Sequence, residues 1–159
     1  MYKTVVFDLD GTLLNTLTDL ADAGNRLCRK YGWPTHERQA YRYFVGNGIP
    51  KLVERLAPAD QRTPAVLEAA LADFKRDYGQ HLRDTTAPYP GIPEMLAKLK
   101  ANGVQLAVFS NKADALAKEV VKDYFGTQYF AIVRGQMTGV APKPAAEGTN
   151  ALLQALHAD

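Results

Sequence analysis

Residues Val5-Val6-Phe7-Asp8-Leu9-Asp10-Gly11-Thr12 constrain this chain most tightly. Apolar, β-branched and aromatic residues open the run as in a buried strand, and two carboxylates then follow one residue apart, just before a glycine. At period-2 spacing the carboxylates share one face of a strand and repel each other. A fold that sets them beside a glycine turn normally has a cation to hold there. Magnesium is the first candidate, because it prefers oxygen ligands and is commonly held by one or two carboxylates together with substrate phosphates. Phosphate chemistry is therefore the first expectation, against the plainer one of a strand ending in a solvated Asp-Leu-Asp-Gly turn.

The rest of the chain bounds that expectation. Its 159 residues suffice for one ordinary domain, or for two small ones that share a strand and a crossover. A hydrophobic fraction of 47% can fill a core, and a net charge of +2 is too small to suggest a nucleic-acid or membrane partner. No apolar run approaches the roughly 20 residues needed to span a bilayer. Met1-Tyr2-Lys3-Thr4 leads straight into the first strand instead of a signal peptide, so a cytoplasmic protein is expected. Cys28 is the single cysteine, which excludes an internal disulfide, and its place in a helical apolar stripe predicts a packed thiol.

Periodicity divides the chain in two. Thr16 is a plausible N-cap for a long helix carrying Leu17, Leu20, Ala21, Gly24, Leu27, Cys28 and Tyr31, closed by Gly32, Trp33 and Pro34. A shorter helical run from Thr35 or His36 through Phe44 follows, then Gly46-Asn47-Gly48, then a short amphipathic stretch from Ile49 to Leu56. Thr63-Pro64 starts another helix, so the chain from Thr16 to about His81 reads as a helical bundle inserted after the first strand. Thr85 to Gly91 is rich in turn formers and reads as the return linker. Helix and strand then alternate: a helix from Ile92 to Asn102, a strand from Val104 to Phe109, a helix from Asp114 to about Tyr124, a strand from Tyr129 to Val133, and a helix from Ala145 to about Leu156. Strands separated by helices imply a parallel sheet, whose ligands sit beyond the carboxyl ends of the strands.

Asp8 lies at one such end and Ser110 at another. Ser110-Asn111-Lys112 supplies a hydroxyl, an amide and backbone N–H groups before a helix, which makes either an anion site or an ordinary helix cap. Lys143 sits in Ala141-Pro142-Lys143-Pro144, where flanking prolines restrict the backbone and present the ammonium in a fixed place. Alone it would read as solvated surface. The tyrosines and Trp33 read as packing, and His36, His81 and His157 show no metal-ligand spacing.

In order and on the expected elements, Asp8-Leu9-Asp10-Gly11-Thr12, Ser110-Asn111 and Lys143 resemble the first three motifs of the haloacid dehalogenase superfamily. The helical insertion resembles that superfamily's bundle-type cap. Asn15-Thr16-Leu17-Thr18-Asp19-Leu20, Val45-Gly46-Asn47-Gly48 and Lys143-Pro144 are further similar to phosphoglycolate phosphatases. The resemblance implies an α/β fold with a Rossmann-like parallel-sheet core, residues 1–15 and 84–159, and an inserted helical-bundle cap, residues 16–83. It implies a Mg²⁺-dependent phosphatase of a small phosphorylated substrate, first of all 2-phosphoglycolate, or else a sugar-phosphate phosphatase or phosphomutase. Asp8 would attack phosphorus and form an aspartyl-phosphate, while Asp10 would protonate the leaving alcohol and later activate water. Ser110, the Asn111 backbone and Lys143 would hold the phosphate oxygens, with Gly11 and Thr12 beside them. Asp8 and the Asp10 carbonyl would hold the metal. Gly48 and Lys51 could receive a small carboxylate, although the glycines there read equally as a joint between helices.

The superfamily's fourth motif, an acidic cluster ending a strand after the lysine helix, has no counterpart. Beyond Lys143 the acids are Glu147 and Asp159 alone. The expectation is thus a core incomplete at its C-terminus, a truncated and impaired form of a longer phosphatase. A non-catalytic phosphate-binding or interaction protein that keeps the fold is the alternative. Either way the first strand is expected at a sheet edge, where it invites self-association.

Overall fold

The computed structural model describes residues 2–158. The chain groups into two compact units, one of Met1–Asn15 with Pro88–Asp159 and one of Thr16–Ala87. Among the described residues the strands are β1 (Thr4–Phe7), β2 (Leu14–Asn15), β3 (Ala87–Pro88), β4 (Gln105–Ala113) and β5 (Phe130–Gln136). The α-helices are α1 (Leu17–Tyr31), α2 (Tyr41–Phe44), α3 (Ile49–Leu56), α4 (Pro64–His81), α5 (Ile92–Ala101), α6 (Asp114–Phe125) and α7 (Ala146–Ala155). No helix among the described residues is long and apolar enough to cross a membrane.

The first unit is α/β. Its parallel sheet runs in the order β1-β4-β5, with Phe7 opposite Val108 and Val108 opposite Val133. β4 lies in the middle and its run Leu106-Ala107-Val108-Phe109 is buried, the continuous apolar pattern of a strand covered on both faces. β1 forms one edge, and Val6, read from sequence as part of a buried run, is 36% exposed. Two strands run further than periodicity suggests: β4 continues past Phe109 to Ala113, and β5 past Val133 to Gln136. The extension carries Ser110, Asn111 and Lys112 within the strand.

α7 reaches the sheet through a glycine. A Cβ on Gly148 would overlap the Phe109 ring, so only hydrogen fits between helix and strand. Leu152 and Leu156 then complete a buried cluster with Ala107 and Phe109. A helix-interior glycine costs about 1 kcal/mol relative to alanine, and this close approach is its structural return.

The second unit is helical. Leu52, Val53, Phe74, Tyr78 and Tyr41 fill its interior, and the Tyr41 ring fits because Gly24 of α1 has no side chain. The Tyr41 hydroxyl donates to Asn25 Oδ1 at 3.0 Å. Thr63 caps α4, with its Oγ accepting from Val66 N–H at 3.4 Å, and Trp33 is buried with its indole N–H on Gln61. Cys28 is buried, and that burial pushes its thiol up to about 11. Thr16 differs from expectation: it is buried, but its side chain makes no cap bond to α1. The helical run expected before Phe44 is reduced to a 3-10 turn, Arg38–Ala40, and the single turn of α2.

Asp19 closes this unit on itself. Its carboxylate, in the first turn of α1, accepts the backbone N–H groups of Thr85 and Thr86, both at 2.9 Å, and also both hydroxyls. Residues 84–87 accordingly group with the helical unit and not with the α/β unit. Burial alone would raise the Asp19 pKa, but these hydrogen bonds outweigh it and the net shift is downward. A carboxyl depressed in the folded state stabilises fully above its unfolded value, about 3.9, and loses that contribution as pH falls through the lower folded value. Asp19→Ala is expected to lower unfolding free energy by about 3 kcal/mol at pH 7. Urea denaturation followed by circular dichroism should show that difference shrinking as the medium is acidified below about pH 4.

Candidate functional site

Three segments of the α/β unit carry the polar residues, and each follows or ends a strand. Asp8 comes directly after β1, Ser110 to Lys112 lie near the end of β4, and Lys143 comes after β5. After Asp8 the backbone curls: the amides of Thr12, Leu13 and Leu14 all point to the Leu9 carbonyl, and Gly11 N–H donates to Leu14 O at 2.9 Å. Gly11 takes φ +79°, which other residues adopt only at a cost. Leu9, Leu13 and Leu14 are fully buried beneath this curl, while Gly11 and Thr12 are exposed on it.

The two carboxylates are met by two different lysines. Lys143 Nζ lies 2.9 Å from Asp8 Oδ1, which also accepts the Leu9 N–H at 2.8 Å. Lys112 Nζ lies 3.0 and 3.3 Å from the two oxygens of Asp10. The Asp8 side chain is 44% exposed, whereas that of Lys112 is 3% exposed. Asp8 is therefore presented to solvent and Asp10 is gripped from within.

Each lysine is itself held. Asn111 brackets the Lys143 peptide: its Oδ1 accepts Lys143 N–H at 2.8 Å and its Nδ2 donates to Lys143 O at 3.1 Å. Lys143 Nζ also donates to Phe109 O at 2.7 Å and stands 5.3 Å from the Phe109 ring centroid. The Asn111 side-chain amide thus engages the backbone of Lys143. Ser110 is buried, and its Oγ accepts the Lys112 N–H at 3.1 Å. Gly135 of β5 lies so near that a Cβ would overlap the Lys112 carbonyl and the Asp114 backbone. Asp114 Oδ1 accepts Gly135 N–H at 2.9 Å and fixes that approach. Burial would raise the Asp114 pKa, but Lys118 and the Gly135 amide outweigh it and hold the carboxyl below its ordinary value.

Asp8, Lys143 and Asn111 are joined by direct contacts, and Asp10 is joined to the end of β4 through Lys112. Gly48 and Lys51 belong to the helical unit. Gly48 opens α3 at φ +85°, and Lys51 Nζ pairs with Glu54 at 2.8 Å. Arg55 secures the neighbouring loop by donating to Phe44 O at 2.8 Å and Asn47 Oδ1 at 2.9 Å. Two residues that sequence reasoning left without a role, Phe109 and Lys112, are central to this geometry. Ser110 and Lys112 are buried two positions apart, with Asn111 between them half-buried, a placement that follows from the extension of β4 and that no local sequence signal marks.

For a hard divalent cation the donors present are the oxygens of Asp8 and Asp10. No group of three or more Asp, Glu, His or Cys side chains gathers among the described residues. An Asp8 carboxylate oxygen with the Asp10 backbone carbonyl suits magnesium, which keeps several waters and takes phosphate oxygens as further ligands.

The sequence pattern of the haloacid dehalogenase-like hydrolases matches residues 5–159. A phosphoglycolate phosphatase of Thiobacillus denitrificans is 33% identical over 145 residues, which cover 89% of this chain and 64% of that protein. One from Nitrosospira multiformis is 36% identical over 134 residues, covering 82% and 59%. The chain thus spans less than two thirds of the length of these curated relatives. Among solved structures, a protein from Lactobacillus delbrueckii named as a phosphoglycolate phosphatase superposes with a TM-score of 0.91 at 27% identity. That match covers 99% of this chain and 74% of the other.

The Asn111 bracket generates a direct expectation. Asn111→Ala removes both hydrogen bonds to the Lys143 peptide, each worth about 1 kcal/mol. Hydrogen exchange of the Lys143 amide should accelerate about fivefold or more, the equivalent of one such bond, while amides in β1 keep their protection.

Proposed function

The chain belongs to the haloacid dehalogenase-like hydrolases, and from that premise we propose that it is a phosphatase of a small phosphomonoester, with 2-phosphoglycolate the first candidate. The observation that carries this reading is the presentation of Asp8. Both of its contacts, from Leu9 N–H and from Lys143, fall on Oδ1, so the carboxylate is oriented while Oδ2 remains for attack. An oriented, solvent-facing carboxylate at a strand end suits nucleophilic displacement at phosphorus.

In the proposed reaction Asp8 Oδ2 forms a bond to phosphorus as the bond to the alcohol oxygen breaks. Asp10 gives its proton to that leaving oxygen and then takes one from the water that hydrolyses the aspartyl-phosphate. Splitting the hydrolysis in two lowers each barrier, and the remaining task is to hold spread negative charge. Lys143, braced by Asn111 and Phe109 O, supplies a fixed cation for the phosphoryl oxygens. Ser110, the Asn111 backbone, Gly11 and Thr12 are the further contacts proposed for the phosphoryl oxygens. Bound at Asp8 and Asp10, Mg²⁺ would neutralise phosphoryl charge and orient the substrate.

Substrate choice is assigned to the helical unit, because the core residues address only the phosphate. Gly48 and Lys51 are the candidate contacts there for a substrate carboxylate, with Lys51 shared by Glu54. Names of the similar proteins support 2-phosphoglycolate over other phosphomonoesters.

The test is phosphate release from 2-phosphoglycolate with and without Mg²⁺. Metal-dependent turnover is expected, and Asp8→Asn should reduce it by at least about a thousandfold, as loss of a covalent nucleophile does. Turnover that survives Asp8→Asn would sink the mechanism. A chain that binds phosphate or beryllium fluoride at Asp8 without turnover would be an impaired phosphatase.

A further inference from the structure

The reaction proposed above gives Lys112 no part, yet it is the most deeply buried charged side chain of the site, at 3% exposure. A buried ammonium is strongly unfavourable unless paired, and a four-carbon stem is long enough for a lysine near a strand end to reach water. Lys112 stays inside instead. Its N–H is fixed on Ser110 Oγ, its carbonyl is pressed by Gly135, and its Nζ reaches both oxygens of Asp10.

We propose that Lys112 is a positioning residue for Asp10, its ammonium holding both carboxylate oxygens so that the acid meets the leaving oxygen in one orientation. The proposal rests on the reading of Asp10 as proton donor. The torsion that turns a carboxylate is broad and twofold, so an ungripped Asp10 would sample many directions. Proton transfer needs heavy atoms within about 2.6–3.2 Å, which makes that freedom costly in rate. Each carboxylate oxygen has two lone-pair directions, and an ammonium on one leaves the other for the transferred proton. Lys112 gives up no proton in this role.

A lysine whose only role was to brace the fold would affect all substrates alike. A positioning lysine matters where the leaving group needs a proton. The value of kcat/KM, which reports events up to phosphorylation of Asp8, is therefore compared for 2-phosphoglycolate and p-nitrophenyl phosphate. The first leaves as an alkoxide that must be protonated, the second as a stable phenolate. Lys112→Met, which keeps the stem and removes the charge, should lose about 10- to 100-fold on 2-phosphoglycolate and less than about threefold on p-nitrophenyl phosphate. Equal losses on both substrates, or no loss, overturn the proposal. A second measurement needs neither turnover nor a lysine variant: the ¹⁵N-resolved ammonium signal of Lys112 in the unaltered chain. Slow exchange with water that Asp10→Asn abolishes supports the grip. Exchange as fast as that of the exposed Lys30 overturns it. Turnover surviving Asp8→Asn marks a different failure, that of the phosphatase reading, and removes the reaction that the positioning serves.

Discussion

Two carboxylates set two residues apart repel each other, and the α/β unit meets each of them with a lysine ammonium. The cations come from separate segments, Lys112 at the end of β4 and Lys143 beyond β5. Both can arrive because parallel pairing brings the carboxyl ends of β1, β4 and β5 to the same side of the sheet. The order β1-β4-β5 places the lysine-bearing strand directly beside the aspartate-bearing one. Neither lysine relies on its own chain stiffness. Asn111 grips the backbone of one, and the Ser110 hydroxyl with the close passage of Gly135 constrains that of the other.

Phe109 links the site to the core beneath it. Its ring meets Gly148 of α7 on the core side and lies within reach of the Lys143 ammonium, and its carbonyl accepts from that ammonium. A packing residue therefore also sets the position of a charge. Volume changes at Phe109 would be felt at Asp8, two contacts away, because closely packed interiors transmit displacement instead of absorbing it.

Much of this was legible along the chain. Apolar runs and their punctuation locate the strands and helices to within a few residues, because those signals are local. The carboxylate pair was legible for the same reason, since a glycine turn announces itself, whereas Lys143 stood out only in company with the other motifs. What escaped was tertiary. The extension of β4 to Ala113 depends on its pairing with β5, including a register shift between Phe109 and Ala113 that no local pattern marks. The burial of Lys112 depends on which strand lies beside it, and sequence alone presents a lysine near a helix start as solvated. The partner of the Asn111 side chain, the Lys143 peptide, was not legible, because an amide's chemistry does not say which partner it will find. Asp19 stood out only within a motif similar to the phosphoglycolate phosphatases, and its hydrogen bonds depend on a segment more than sixty residues away.

That last contact bears on how an insertion is carried by a host fold. A long excursion from one strand leaves its two ends free to wander, and bringing them together has an entropic cost that grows slowly with length. Asp19 meets this cost inside the excursion, since the first turn of α1 binds the residues just before the chain re-enters the α/β unit. The helical unit is a loop that carries its own drawstring. The short strands β2 and β3 pair at those same ends, so the excursion is tied at its base by backbone and side chain together, and the sheet that carries Asp8 is not the element that closes it.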